Sequence, residues 1–378
     1  MRRTVAAAVL AAALLVVTTP AAAYHGGRRV TSATEAPYSV LVDARTFYTH
    51  FVCSGSLVDP SHIVTAAHCA TGDKGHRLRA RAFTVAAGIT VLRRGLVPGA
   101  QLRRVTRVRI HPAYDHRFVG YADVAVLQVD PPFETTATVA PIGLIGLGQT
   151  PAPGTIVRGY GFGLDGRDHQ ADEHSLDMTM RPFSRCLPGI GGVACARSAV
   201  GTGCPGDSGG PIVTTVGPIL LAGVISGGSD DRCAKGETAW FADLATPAIA
   251  DFVRGDDHPP PMPFADELAT LRLTGDPAEP IACTAAPWRD ATSTTTQFLH
   301  PGRGDVVQDS PAATYVPQAA DVGHRIGCRS IAHSAGGTAW MPAGAYVTVE
   351  ARRLCLEAGA SATRRCRPWN GPASSASG

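Results

Sequence analysis

The chain has 378 residues, 44% hydrophobic and 17% charged, which excludes a disordered chain and implies packed cores in two or three domains. Only 6% of residues are aromatic, whereas 42 glycines and 29 prolines suit short strands joined by many turns. A net charge of +3 is too small to define a nucleic-acid surface, so no nucleic-acid partner is expected.

Residues 1–23 read as an export signal. Met1-Arg2-Arg3 is basic, Val5 to Val17 is apolar but too short to cross a bilayer, and Ala21-Ala22-Ala23 offers a small-residue cleavage site. The mature protein is expected to be secreted, extracellular, free of the membrane and monomeric. Ten cysteines, an even number in an exported chain, read as disulfides. Neither C-x-x-C nor H-E-x-x-H occurs, so no metal and no cofactor are expected.

From residue 38 to 130, short β-like runs alternate with turns, as in Tyr38 to Val42, Ile63-Val64, Phe83 to Val85 and Val124 to Leu127. The same style continues from 141 to 245, where Ile219 to Ile225 is the clearest buried strand. This pattern predicts an all-β barrel or sandwich. One helix should follow, capped by Thr246, with Pro247 at its first position, Ile249, Phe252 and Val253 on one face, and Gly255 as its stop. Residues 256–267, with Pro259-Pro260-Pro261, read as a stiff polar linker. In residues 268–350 a second β-rich unit shows period-two patterning at Ile326, Cys328 and Ser330 and at Val347 and Val349. Residues 351–378 read as a tail with a small loop closed by Cys355 and Cys366.

Three segments carry chemistry: Thr65-Ala66-Ala67-His68-Cys69, Tyr121-Ala122-Asp123-Val124-Ala125, and Cys204-Pro205-Gly206-Asp207-Ser208-Gly209-Gly210-Pro211. A serine hydroxyl attacks well only when a base takes its proton, and a histidine near neutral pKa suits that task. The histidine in turn needs a buried carboxylate to hold its tautomer, and the developing oxyanion needs preplaced donors such as those of a glycine-rich turn. The order His, Asp, Ser excludes the α/β-hydrolase arrangement, in which serine comes first and histidine last.

On these motifs residues 24–255 resemble the chymotrypsin-like (trypsin-like) secreted serine endopeptidases. The resemblance implies two packed antiparallel β-barrels, with His68 as general base and acid, Asp123 orienting it, and Ser208 as nucleophile. It implies an oxyanion hole from the N–H groups of Gly206 and Ser208, and substrate contacts from Thr202, Ser226, Gly228 and Ala239. A protein or peptide is the implied partner. Three bridges are implied: Cys53 to Cys69, which lie sixteen residues apart, Cys186 to Cys195, and Cys204 to Cys233. Thr202 stands where a cut after Lys or Arg calls for a carboxylate, and Gly227 stands where the family usually has tryptophan. Activation in the family pairs a new N-terminal ammonium with the aspartate before the nucleophile, here Asp207. Cleavage after Ala23 would supply Tyr24, and cleavage after Arg29 would supply Val30; the Gly26-Gly27 pair favours Tyr24. Residues 268–350, with Cys283 and Cys328, resemble a bacterial immunoglobulin-like β-sandwich, although Trp288 departs from the antibody-type spacing. The alternative function is a catalytically silent protease-fold protein that binds through its C-terminal sandwich.

Overall fold

The computed structural model describes residues 24–369 apart from 48–49, 73–74, 93–97, 119, 165–171, 230–232, 234, 275, 277, 302–304, 311 and 359–363. The expected signal segment lies outside the described residues.

The first barrel is built from β2 (Ser39–Arg45), β3 (His50–Asp59), β4 (His62–Thr65), β5 (Phe83–Ala87), β6 (Gln101–Ile110) and β7 (Ala125–Val129), closed in the order β2-β3-β4-β7-β6-β5. Strand alternation fills its interior: Val40, Val42 and Ala44 point inward with Leu57, Phe83, Val85 and Leu127. The second barrel comprises β8 (Ile156–Gly161), β9 (His174–Met180), β10 (Val193–Arg197), β11 (Pro211–Thr214), β12 (Leu221–Gly228) and β13 (Thr238–Asp243). Here β8 pairs with both β9 and β11 and so closes the sheet, while the short β1 (Arg28–Arg29) adds to β9. All pairings within the two barrels are antiparallel, as the resemblance implies. The buried run starts at Leu221 and not at Ile219, which turns outward and is 57% exposed.

Helix α1 (Pro247–Arg254) follows, with Pro247 at its start and Ile249, Phe252 and Val253 buried. Thr246 takes the N-cap position, but its side chain makes no capping bond. Gly255 ends the helix at φ 120°, a conformation that disfavours other residues.

The segment expected to be a polar linker is instead packed. Met262 and Phe264 are 1% and 4% exposed and join the core that contains Tyr121, Val193 and Ile249. Phe264 meets Phe118 and Tyr121 at ring-centroid distances of 4.6 and 5.0 Å, and Arg289 stacks over it at 4.4 Å. Asp257 also anchors to the first barrel, 2.6 Å from Arg109 Nε. Proline content sets stiffness, but the two apolar side chains, Met262 and Phe264, decide where the segment goes.

Beyond it, β14 (Thr270–Leu273), β15 (Ile281–Thr284) and β18 (Thr314–Tyr315) form a three-stranded sheet. A six-stranded sheet contains β16 (Ser293–Leu299), β17 (Val306–Ser310), β19 (Arg325–Ser334), β20 (Gly337–Glu350), β21 (Arg353–Ala358) and β22 (Arg365–Pro368). The Cys283–Cys328 bridge joins β15 to β19, and therefore one sheet to the other. The boundary expected at 350 does not coincide with an edge of this unit. Leu354 and Trp369 share its core with Phe298, Ile326 and Val347, and the Cys355–Cys366 bridge spans the paired β21 and β22. All five disulfides named from the sequence are present: Cys53–Cys69, Cys186–Cys195, Cys204–Cys233, Cys283–Cys328 and Cys355–Cys366.

Because Phe264 joins the two halves, Phe264→Ala should cost about 3–5 kcal/mol and open residues 256–267 to proteolysis. Thermal unfolding with limited proteolysis measures this; an unchanged melting temperature with no new cleavage would show the contact to be incidental.

Candidate active site

His68 follows β4 and Asp123 precedes β7, so the pairing of these two strands brings together side chains 55 residues apart. Asp123 is 2% exposed. Its Oδ2 accepts a bond from His68 Nδ1 at 2.8 Å, and its Oδ1 accepts one from the His68 backbone N–H at 2.9 Å. An ionised carboxylate only accepts, so Nδ1 carries the ring proton and Nε2 keeps its lone pair. Ser226 Oγ adds a third donor, 2.5 Å from Oδ2. The β12–β13 register shifts between Ile225 and Gly227, and the extra residue in this bulge is Ser226. The sequence suggested Ser226 only as backbone for substrate; its hydroxyl is a further contact to Asp123 that strand register alone creates.

Burial pushes the Asp123 carboxyl up, but the charge of His68 and the hydrogen bonds from His68 and Ser226 outweigh it and hold the group below its usual range. Burial likewise pushes His68 down, while the attraction of Asp123 and the bond between them carry it above its ordinary value.

Ser208 lies in the glycine-rich turn between the barrels. Its carbonyl accepts the Ser54 N–H at 2.8 Å, Ser54 Oγ donates to the Gly206 carbonyl at 2.9 Å, and the Gly209 N–H donates to the Ile225 carbonyl at 2.7 Å. Both barrels therefore hold the turn. At Gly209 (φ 82°) a Cβ would collide with Thr65 Oγ1, so the turn can form only with glycine there. Among the described residues, the N–H groups of Gly206 and Ser208 donate to no protein acceptor.

Asp207 is fully buried. Oδ1 accepts the Gly163 N–H at 2.8 Å, and Oδ2 accepts the N–H groups of Cys204 at 2.8 Å and Tyr24 at 3.2 Å. Burial pushes its carboxyl up to about 7, because the three amide donors only partly compensate. The Tyr24 ring is also fully buried, and a Cβ at Gly159 would collide with its hydroxyl. Val30 sits elsewhere, its N–H bonded to the Glu173 carbonyl at 2.9 Å. The alternating Gly159-Tyr160-Gly161-Phe162-Gly163 run was the sequence signal for this seat, since Cβ atoms at 161 and 163 would collide with Asp207.

Thr202, Ser226, Gly228 and Ala239 line one cavity of about 480 Å³ together with His68 and Ser208. Thr202 is 2% exposed, and its N–H is fixed on the His25 carbonyl at 3.0 Å. The single grouping of possible metal ligands among the described residues is Cys53, His68 and Cys69, and its two sulfurs form a disulfide.

Two closed six-stranded barrels with a histidine–carboxylate pair and a serine turn at one cavity define the class of two-barrel serine proteases. A family model described as Trypsin matches residues 25–252, and the chain belongs to this family. It is 30% identical over 203 residues to the suppressor of tumorigenicity 14 protein homolog of Bos taurus, covering 49% of this chain and 23% of that protein. It is 31% identical over 197 residues to a trypsin of Saccharopolyspora erythraea, covering 48% of this chain and 77% of that one. Hypodermin-A of Hypoderma lineatum is 30% identical over 192 residues, with 48% and 69% covered. The chain thus spans under a quarter of the bovine relative and more than two thirds of the other two.

Removing the charge of Asp123 should lower the His68 pKa, since burial, which disfavours the imidazolium, then acts unopposed. NMR titration should place His68 above 6.5 in the parent and below it in Asp123→Asn. Equal midpoints would show that the pair is not coupled.

Proposed function

We propose that this protein is an exported serine endopeptidase that hydrolyses peptide bonds through His68, Asp123 and Ser208. The observation that carries the reading is the doubly bonded Asp123–His68 pair, facing Ser208 across one cavity. Ser208 Oγ attacks the scissile carbonyl carbon while His68 Nε2 takes its proton. The tetrahedral oxyanion is met by the unengaged N–H groups of Gly206 and Ser208. His68 then returns the proton to the leaving amine, the C–N bond breaks, and water releases the acyl group by the same steps in reverse roles. Asp123 stays ionised and stabilises the imidazolium.

Export fits residues 1–23, the five disulfides, and the absence of any helix long and apolar enough to cross a membrane among the described residues. Cleavage after Ala23 would convert the Tyr24 nitrogen into an ammonium already placed at Asp207. This favours Tyr24 over Val30 as the mature start, and on this reading export itself activates the enzyme. The immunoglobulin-like assignment of the C-terminal unit is likewise proposed on its two disulfide-linked sheets.

The parent should be labelled by a fluorophosphonate, and Ser208→Ala should be neither labelled nor active while keeping its fold. Parent-rate hydrolysis by that variant, or a folded parent that takes no label, would overturn the reading in favour of a silent binding protein. Thr202 gives a buried Lys or Arg side chain no charge partner, so peptides with a neutral residue before the cleaved bond should be preferred. Efficient cleavage only after Arg would refute that assignment. Active secreted protein should begin at Tyr24 on N-terminal sequencing; an active form beginning at Val30 would establish a separate activation peptide instead.

A further inference from the structure

The cavity at Ser208 has two kinds of wall. Thr202 and Ala239 belong to its deep end, whereas Gly227 and Gly228 present bare backbone along the edge of β12. The largest apolar surface among its lining residues is the indole of Trp240, which is half-buried. Trp240 stands opposite Gly227 on β12 and opposite Cys195 on β10. Cross-strand partners share a face, so the indole lies on the side of the Cys186–Cys195 bridge, over the space that Gly227 leaves open. Ala239, one residue earlier on β13, points to the opposite face.

A second apolar group borders the same side. Leu187, next to Cys186, is half-buried, and a Cβ at Gly120 would lie 3.0 Å from Leu187 Cδ1 and 4.0 Å from Ser226 Oγ. Leu187 and Trp240 both pack against the core that contains Tyr121 and Val193. The loop carrying Leu187 is fixed from outside, since Gly189 N–H donates to the Trp340 carbonyl at 2.6 Å and Ile190 bridges to Phe264. The loop is therefore tied to the C-terminal unit.

We infer that Trp240, flanked by Leu187, is the specificity-determining surface for apolar side chains two and four residues before the cleaved bond. This rests on the endopeptidase reading above. An extended substrate alternates its side chains. If the residue before the bond enters the deep end beside Thr202 and Ala239, its first and third predecessors, two and four residues before the bond, face the other way, toward the indole. An aromatic platform next to bare backbone favours leucine or an aromatic residue there and rejects a carboxylate, which would lose water without gaining a partner.

The test uses the full chain and tetrapeptide amides that share one residue before the bond and differ only at the second and fourth positions, leucine against aspartate. In the parent, kcat/KM should favour leucine by about tenfold or more, mainly through KM. Trp240→Ala should bring the ratio close to one, and Trp240→Phe should restore most of it. If Trp240→Ala shows no cooperative thermal unfolding and so fails to fold, Trp240→Gln supplies the same comparison with a larger side chain. A leucine-to-aspartate ratio unchanged in the folded Ala or Gln variant would overturn the inference, as would a parent with no preference. A parent that takes no label overturns the endopeptidase reading as well, so the two failures are told apart by the labelling step.

Discussion

A carboxylate sealed away from water must find a cation or several donors, and the cavity is organised around two that solve this differently. Asp123 has a titratable partner in His68 together with the Ser226 hydroxyl, and its charge is maintained. Among the described residues Asp207 has only backbone amides, and burial pushes it up to about 7. The first arrangement is stable by itself. The second lacks a positive charge, and its third donor is the nitrogen of Tyr24. The loop from Cys204 to Gly210 is bonded through Asp207 to the segment at Gly163 and to Tyr24, so that nitrogen is linked by one side chain to the turn around Ser208.

Glycine makes both arrangements possible by letting backbone approach where a side chain would intrude. Gly159 leaves room for a tyrosine ring whose hydroxyl is buried without a partner among the described residues, a cost of about 1–3 kcal/mol that the burial of the ring must offset. Gly161 and Gly163 let the chain close over Asp207. The second barrel thus carries its glycines where two buried side chains need space, on the strand and turn facing the N-terminal segment.

The grouping of His68, Asp123 and Ser208 was legible in the sequence because each sits in a short contiguous run of distinctive residue types. The bridges Cys53–Cys69, Cys186–Cys195 and Cys204–Cys233 were legible through the family resemblance. Ser226 as a donor to Asp123 was not, because it depends on a bulge that shifts register by one residue, and no local pattern marks that bulge. The packed linker was hidden by its prolines, whose stiffness says nothing about burial, while the deciding residues are two isolated apolar side chains, Met262 and Phe264. The strands after residue 350 were missed because the Cys355–Cys366 pair resembles a local loop; it is in fact a cross-strand pair at the end of a sheet.

Phe264 links these observations. It contacts Phe118 and Tyr121 in the segment leading to Asp123, and it pairs with Ile190 in the loop closed by the Cys186–Cys195 bridge. Those two segments flank the cavity on the side of Trp240. A flexible tether would leave the barrels indifferent to the C-terminal unit. An aromatic side chain buried against two other rings, worth about 1.5–3 kcal/mol from burial alone, does not. The C-terminal unit is therefore part of the framework that holds the loops beside the cavity, and its removal together with Phe264 would expose Ile190 and Tyr121 to water.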